Sequence, residues 1–173
     1  MKRIVLITGG ARSGKSDYAI GVVDTGGYRN RYFIATAEPL DEEMRERIEK
    51  HRNQRSQEWT TLEEPIRTWD KLQGIDSPDT VAVLDCLTLW VSNLMSKGDV
   101  PAVQDCFEKL LQTLKGLRHL TVYIVTNEVG MGIVPADKTT RLYRDLLGQL
   151  NRSIASLADE VYLLVSGIAL KLK

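Results

Sequence analysis

One short segment restricts this chain more than any other. Residues 9–16 read Gly9-Gly10-Ala11-Arg12-Ser13-Gly14-Lys15-Ser16, which satisfies the pattern G-x-x-x-x-G-K-[ST]. An apolar run, Ile4-Val5-Leu6-Ile7, enters it, and a helix-compatible segment beginning at Lys15 leaves it. That order of strand, loop and helix is the one the chemistry needs. Glycines let the backbone curl so that successive N–H groups point inward at phosphate oxygens. The first turn of the following helix adds N–H donors without intrahelical partners and the positive end of its dipole. Lys15 brings a point charge to the β- and γ-phosphates, the Ser16 hydroxyl suits Mg2+, and Arg12 is a further cation close to the loop. Residues 9–16 are therefore expected to cradle a nucleoside triphosphate. The competing reading is a glycine-rich turn that binds nothing, and the context on both sides favours the nucleotide.

The rest of the chain supplies the layers such a loop requires. Apolar runs of strand length lie at 4–7, 31–36, 81–84, 120–125 and 161–165. They are continuous rather than alternating, as expected for parallel strands buried on both faces. Helical patterns fill the intervals at 15–23, 40–55, 87–96, 101–115 and 138–158. The fourth opens on Pro101, suited to a first helical turn. The last carries Leu142, Leu146, Leu150 and Ile154 in a four-residue stripe. Alternating strand and helix predicts an α/β fold. We expect a single three-layer P-loop NTPase domain over residues 1–173, with a mostly parallel, RecA-like sheet.

Composition excludes some partners. Lys plus Arg and Asp plus Glu number 23 each, so no overall basic field draws nucleic acid or an anionic membrane. No run approaches bilayer-spanning length, and the apolar stretch at the N-terminus ends at Thr8-Gly9-Gly10, too short for a signal peptide. The expected location is the cytoplasm. Cys86 and Cys106 lack metal-ligand spacing and read as reduced, half-buried thiols.

Two further positions attract attention. Asp85 ends the apolar run 81–84, where an acid in a P-loop protein holds Mg2+, directly or through water. Asp is also a favoured helix N-cap, and the residue is able to do both. Of the two histidines, His119 reads as a loop residue without a role. His51 ends a helical stripe of Leu40, Met44 and Ile48 and is followed by Arg52 and Arg55. Spacing alone suggests a half-buried histidine at a helix end, stabilised by the dipole, with the arginines as a solvated basic end.

The combination of motifs is specific. The opening 4–16, the run Tyr32-Phe33-Ile34-Ala35-Thr36-Ala37, the acidic helix 40–48 followed by His51, the block Thr126-Asn127-Glu128-Val129-Gly130-Met131-Gly132-Ile133-Val134-Pro135 and the closing Asp159-Glu160-Val161-Tyr162 and Val165-Ser166-Gly167-Ile168 resemble the bifunctional adenosylcobinamide kinase / adenosylcobinamide-phosphate guanylyltransferase family across essentially the whole chain.

The resemblance implies two reactions. ATP or GTP phosphorylates the hydroxyl of adenosylcobinamide, and GMP then passes from GTP to adenosylcobinamide phosphate through a guanylylated histidine. It implies that His51 is that nucleophile, a role in keeping with neutral imidazole. It also implies nucleotide contacts at Ile34, Ala35, Thr36, Arg52, Asn53, Gln54, Arg55, Glu63 and Asp85, with Ser16 and Asp85 on the metal. A carboxylate such as Glu63 is able to accept hydrogen bonds from a guanine edge. The implied assembly is a homotrimer. Asp85 stands where some relatives carry Glu, and Lys50 where some carry a second histidine, which leaves His51 as the sole candidate. A kinase of another small molecule, or a non-catalytic nucleotide switch, would share the P-loop but form no covalent adduct.

Overall fold

A computed structural model describes residues 2–39, 42–53 and 55–173; at 43, 47, 50 and 51 it describes the backbone alone. The chain runs β1 (Arg3–Gly9), α1 (Lys15–Thr25), β2 (Asn30–Ala35), α2 (Glu42–Asn53), β3 (Trp59–Glu63), α3 (Thr68–Gly74), β4 (Thr80–Asp85), α4 (Leu87–Lys97), α5 (Val100–Gly116), β5 (Thr121–Val125), α6 (Lys138–Leu157), β6 (Glu160–Val165) and β7 (Ile168–Lys171). The strands form one sheet in the order β3-β2-β4-β5-β1-β6-β7. The pairs from β3 through to β6 are parallel, and only β7 is antiparallel to its neighbour.

The continuous apolar runs behave as expected of strands covered on both sides. All five residues of β5 are buried, as are the first five of β4. Alternate side chains feed two cores. On one face Ile4, Leu6, Leu84 and Ile124 pack with Leu72, Trp90, Leu110 and Leu150 from α3, α4, α5 and α6. On the other, Val5, Ile7, Val83 and Val125 pack with Ala19 and Val23 of α1. Burial of such side chains stabilises by about 1.5–3 kcal/mol each. Two helices begin on side-chain caps: Asp99 accepts from the Ala102 amide at 3.1 Å, and Asp137 from the Thr140 amide at 2.7 Å.

Three elements fall outside the sequence expectation. β3 buries only Trp59, β7 is an exposed edge, and α3 is a short helix of seven residues. None carries the long apolar signature that marks the central strands. The second helix, expected over 40–55, is described as Glu42–Asn53, with 40, 41 and 54 outside the described residues. Among the described residues, no helix is long and apolar enough to cross a membrane.

Candidate functional site

The parallel sheet brings the carboxyl ends of β1 to β6 to one edge, where α/β ligand sites gather. β1 ends at Gly9, and the loop that follows turns back on itself. Arg12 has φ 56° and Gly14 φ 89°, while Gly9 sits at φ 149°. A side chain at Gly9 would collide with the Leu164 carbonyl oxygen and crowd Ser13 Oγ, so close strand packing as well as backbone conformation requires glycine there. Gly14 is the N-cap of α1 and offers no side-chain cap, which leaves the first-turn amides for a ligand. Lys15 is buried and its Nζ donates to the Gly10 carbonyl at 2.5 Å, folding the ammonium into the loop. The loop is held from both sides. The Glu128 amide donates to the Gly9 carbonyl and the Gly167 amide to the Ser13 carbonyl, each at 3.0 Å.

Asp85 ends β4, two interstrand steps from β1 or roughly 10 Å. It does not cap α4: the N-cap is Cys86, without a side-chain cap bond, because the chain stays extended for one more residue. The capping alternative is thus set aside. Burial, and then the Asp85 carboxylate, push the Cys86 thiol up to about 12, so this sulfur is an inert packing group.

The Asp85–Cys86 peptide is clasped by Thr36. Thr36 Oγ1 accepts from the Cys86 amide and donates to the Cys86 carbonyl, both at 2.8 Å, and the Thr36 amide donates to the Asp85 carbonyl at 3.0 Å. Asn93 on α4 completes the clasp, its Nδ2 donating to the Thr36 carbonyl at 2.7 Å and to the Pro65 carbonyl at 3.2 Å. Thr36 and Ile34 are both fully buried, so in this structure their side chains shape the strand end. Ala35, between them, receives the Glu64 amide at its carbonyl.

The remaining nucleotide candidates lie toward the other edge. Glu63 ends β3, four steps from β1 or roughly 19 Å. It is exposed and pairs with Arg52 at 2.5 Å. Asn53 is exposed at the end of α2, and Gln54 lies outside the described residues. His51 belongs to α2 by its backbone, and its side chain lies outside what is described. Arg55 reaches inward: its guanidinium stacks 3.8 Å from the Phe33 ring centroid and donates to Thr61 Oγ1 at 3.2 Å. Burial lowers its pKa, and the charge of Asp85 opposes that shift, which puts the two groups in one electrostatic neighbourhood. Sequence reasoning assigned nothing to Asn93, Glu128 or Gly167, whose partners are distant in sequence.

Ser16 and Asp85 offer a hydroxyl and a carboxylate, hard oxygen donors of the kind Mg2+ takes in small number while keeping water and phosphate ligands. No cluster of three or more His, Cys, Asp or Glu suited to a metal occurs among the described residues. The donors present fit Mg2+.

The family described as cobinamide kinase / cobinamide phosphate guanyltransferase matches residues 5–172. The chain belongs to that family. It is 37% identical to the bifunctional adenosylcobalamin biosynthesis protein CobU of Escherichia coli (strain K12) and 39% identical to the protein of that name from Salmonella typhimurium, in each case over 98% of this chain and 99% of the relative. The bifunctional adenosylcobalamin biosynthesis protein CobP of Pseudomonas aeruginosa is 39% identical over 97% of this chain and 96% of its own. Among solved structures, an ATPase of a bacterial type III secretion system superposes with a TM-score of 0.61 at 11% identity, covering 94% of this chain and 51% of that one. The assembled ATPase EscN gives 0.63 at 11% identity, over 95% and 43%. These likenesses bear on the fold alone, and they agree with a RecA-like α/β domain for this chain.

Proposed function

We propose that this chain phosphorylates adenosylcobinamide with ATP or GTP and then transfers GMP from GTP to the product. The observation that carries the reading is the Lys15 ammonium folded into an uncapped, glycine-turned loop, in a chain that matches the cobinamide kinase / cobinamide phosphate guanyltransferase family almost end to end.

In the first transfer the loop amides and Lys15 hold the β- and γ-phosphates. The substrate hydroxyl oxygen attacks the γ-phosphorus, the bond to the bridging oxygen breaks, and the nucleoside diphosphate leaves as the hydroxyl proton is lost. Positioning and charge stabilisation supply most of such a rate. Mg2+, held by Ser16 and Asp85, would supply further charge neutralisation. Arg12 and Arg55 would add positive charge to the site.

In the second transfer the neutral imidazole of His51 attacks the α-phosphorus of GTP. Pyrophosphate departs with the electrons of the broken P–O bond. The phosphate of adenosylcobinamide phosphate then displaces the imidazole, giving adenosylcobinamide-GDP. Glu63 reads the guanine edge. Arg52, Asn53, Gln54 and Arg55 attend the triphosphate.

We place both activities in one domain, in a cytoplasmic homotrimer. A loop that exposes Met131, Ile133 and Val134 at 83%, 96% and 64% supports association, because apolar clusters of this kind mark contacts. Sedimentation at working concentration tests the trimer.

The activity is tested by incubating the chain with cobinamide, ATP and GTP and weighing the products. Cobinamide-GDP is expected. GTP labelled at the α-phosphorus should mark the chain with an acid-labile, base-stable adduct, and His51→Ala should abolish it while leaving cobinamide phosphate formation in place. Normal labelling of that variant would remove the nucleophile assignment. Lys15→Ala should abolish phosphorylation.

A further inference from the structure

The β6–β7 hairpin, whose Gly167 amide helps to hold the phosphate loop, has a second feature beside it. Its turn is formed by Ser166 and Gly167, both left-handed at φ 51° and 82°. This brings the Gly167 amide onto the Ser13 carbonyl at 3.0 Å and the Gly167 Cα to 3.5 Å from where a Gly14 Cβ would stand. Immediately flanking the turn, Val165 and Ile168 face each other across the antiparallel pair. They are 57% and 73% exposed, two β-branched side chains presenting one apolar surface beside an otherwise polar loop.

The sheet order gives this surface a direction. Asp85 lies on the β5–β4 side of β1, and the β6–β7 hairpin on the opposite side. With Asp85 proposed as the ion's carboxylate, a triphosphate in the cradle would set its γ-phosphate toward β4, and its α-phosphate and nucleoside would then leave the loop toward β6 and β7. Of the exposed apolar side chains on that side, Val165 and Ile168 flank the turn that meets the loop, and Leu170 and Leu172 lie farther along the chain from it.

We propose that Val165 and Ile168 form the platform for the base of the phosphoryl donor. The platform takes a purine by van der Waals contact and apolar burial. Neither side chain has a hydrogen-bonding group, so the platform does not separate adenine from guanine. The inference rests on the phosphate-cradle reading and adds to it a base subsite and its lack of selectivity.

Calorimetric dissociation constants for the Mg2+ complexes of AMPPNP, GMPPNP and inorganic tripolyphosphate test it, in the wild-type chain and in Ile168→Ser, Val165→Ser, the double variant and Ile168→Leu. Both positions are exposed, so the fold should tolerate these changes. Each serine should weaken AMPPNP and GMPPNP by about five- to tenfold, to a similar degree for both, from lost apolar burial. Tripolyphosphate should bind unchanged, and Ile168→Leu should behave as wild type. Unchanged nucleotide affinity in the double variant overturns the platform, including where sedimentation shows altered self-association instead. Equal weakening of tripolyphosphate overturns it too, since the change would then act on the loop. Loss confined to one base overturns the lack of selectivity. A wild-type chain that binds none of the three ligands would fail at the cradle, a result distinct from failure of the platform alone.

Discussion

Replacing Thr36 with valine separates two roles for a residue at the heart of the site. Valine keeps the volume and the β-branched shape, and it keeps the main-chain bonds to Asp85 and Asn93. It removes only Oγ1, which accepts from the Cys86 amide and donates to the Cys86 carbonyl, both at 2.8 Å. The carbonyl retains a partner in the Trp90 amide at 3.1 Å, so the main loss falls on the Cys86 N–H. Thr36 itself is wholly buried, so the new methyl brings no water to replace the lost acceptor. A buried donor left without a partner costs about 1–3 kcal/mol. Taking about 2 kcal/mol, and about 2–4 °C per kcal/mol for a chain of this size, Tm should fall by roughly 4–8 °C. Thermal unfolding followed by circular dichroism gives this directly, with Thr36→Ser expected near wild type. Well below Tm, where the variant is fully folded, kcat for phosphorylation should drop by about tenfold as Asp85 loses its fixed position, while nucleotide KM stays within about twofold. A direct contact between the hydroxyl and the nucleotide would produce the opposite pattern, a raised KM with Tm unchanged. That result, or a variant with both Tm and kcat intact, would refute the bracing argument.

Two other perturbations have defined outcomes. Asp85→Asn should raise the Mg2+ concentration needed for half-maximal phosphorylation by roughly tenfold or more, seen in a metal titration at saturating ATP. Glu160 is held down to about 2 by the Tyr162 hydroxyl and by Arg3 and Lys171. A carboxyl depressed in the folded state stabilises above its unfolded value of 4.5 and loses that contribution as pH falls toward about 2. Glu160→Gln should therefore lower stability near neutral pH by about 2 kcal/mol, after discounting for the exposed Arg3, and flatten the wild-type decline in urea midpoint across that acid window.

How much of this was legible in the sequence follows from how local each feature is. The phosphate loop is written in consecutive residues, because backbone curl, N–H donors and the lysine all come from 9–16. The central strands could be read because burial on both faces leaves unbroken apolar runs such as 81–84. The edges could not: β3 buries one residue of five, and β7 exposes Ile168 and Leu170. Asp85 presented two open roles, and only the observed N-cap at Cys86 set one aside. The Thr36–Cys86–Asn93 clasp joins positions 50 and 57 residues apart, and no spacing rule announces it. His51 is the opposite case: spacing favoured a helix-end histidine, and the nucleophile reading came from resemblance alone.

The order of strands bears on how one sheet edge serves two transfers. A phosphoryl donor must bring its γ-phosphorus to the cradle, and its base has no part in the chemistry. A nucleotidyl donor must bring its α-phosphorus to a nucleophile, and here the base is part of the group delivered. The two demands suit different surfaces, and the sheet keeps those surfaces apart. Val165 and Ile168 flank β1 on one side, while Glu63 ends the strand at the far edge on the other. From β7 to β3 is six interstrand steps, roughly 29 Å, so one bound nucleotide cannot rest its base against both. In the structure Glu63 is paired with Arg52 at 2.5 Å, so under the base-reading role proposed for Glu63 a guanine edge would compete with an arginine for the carboxylate. A guanidinium released in that way would find a charged partner in a phosphate. On that proposal, discrimination is tied to the second transfer, the step at which an error of base would enter the product.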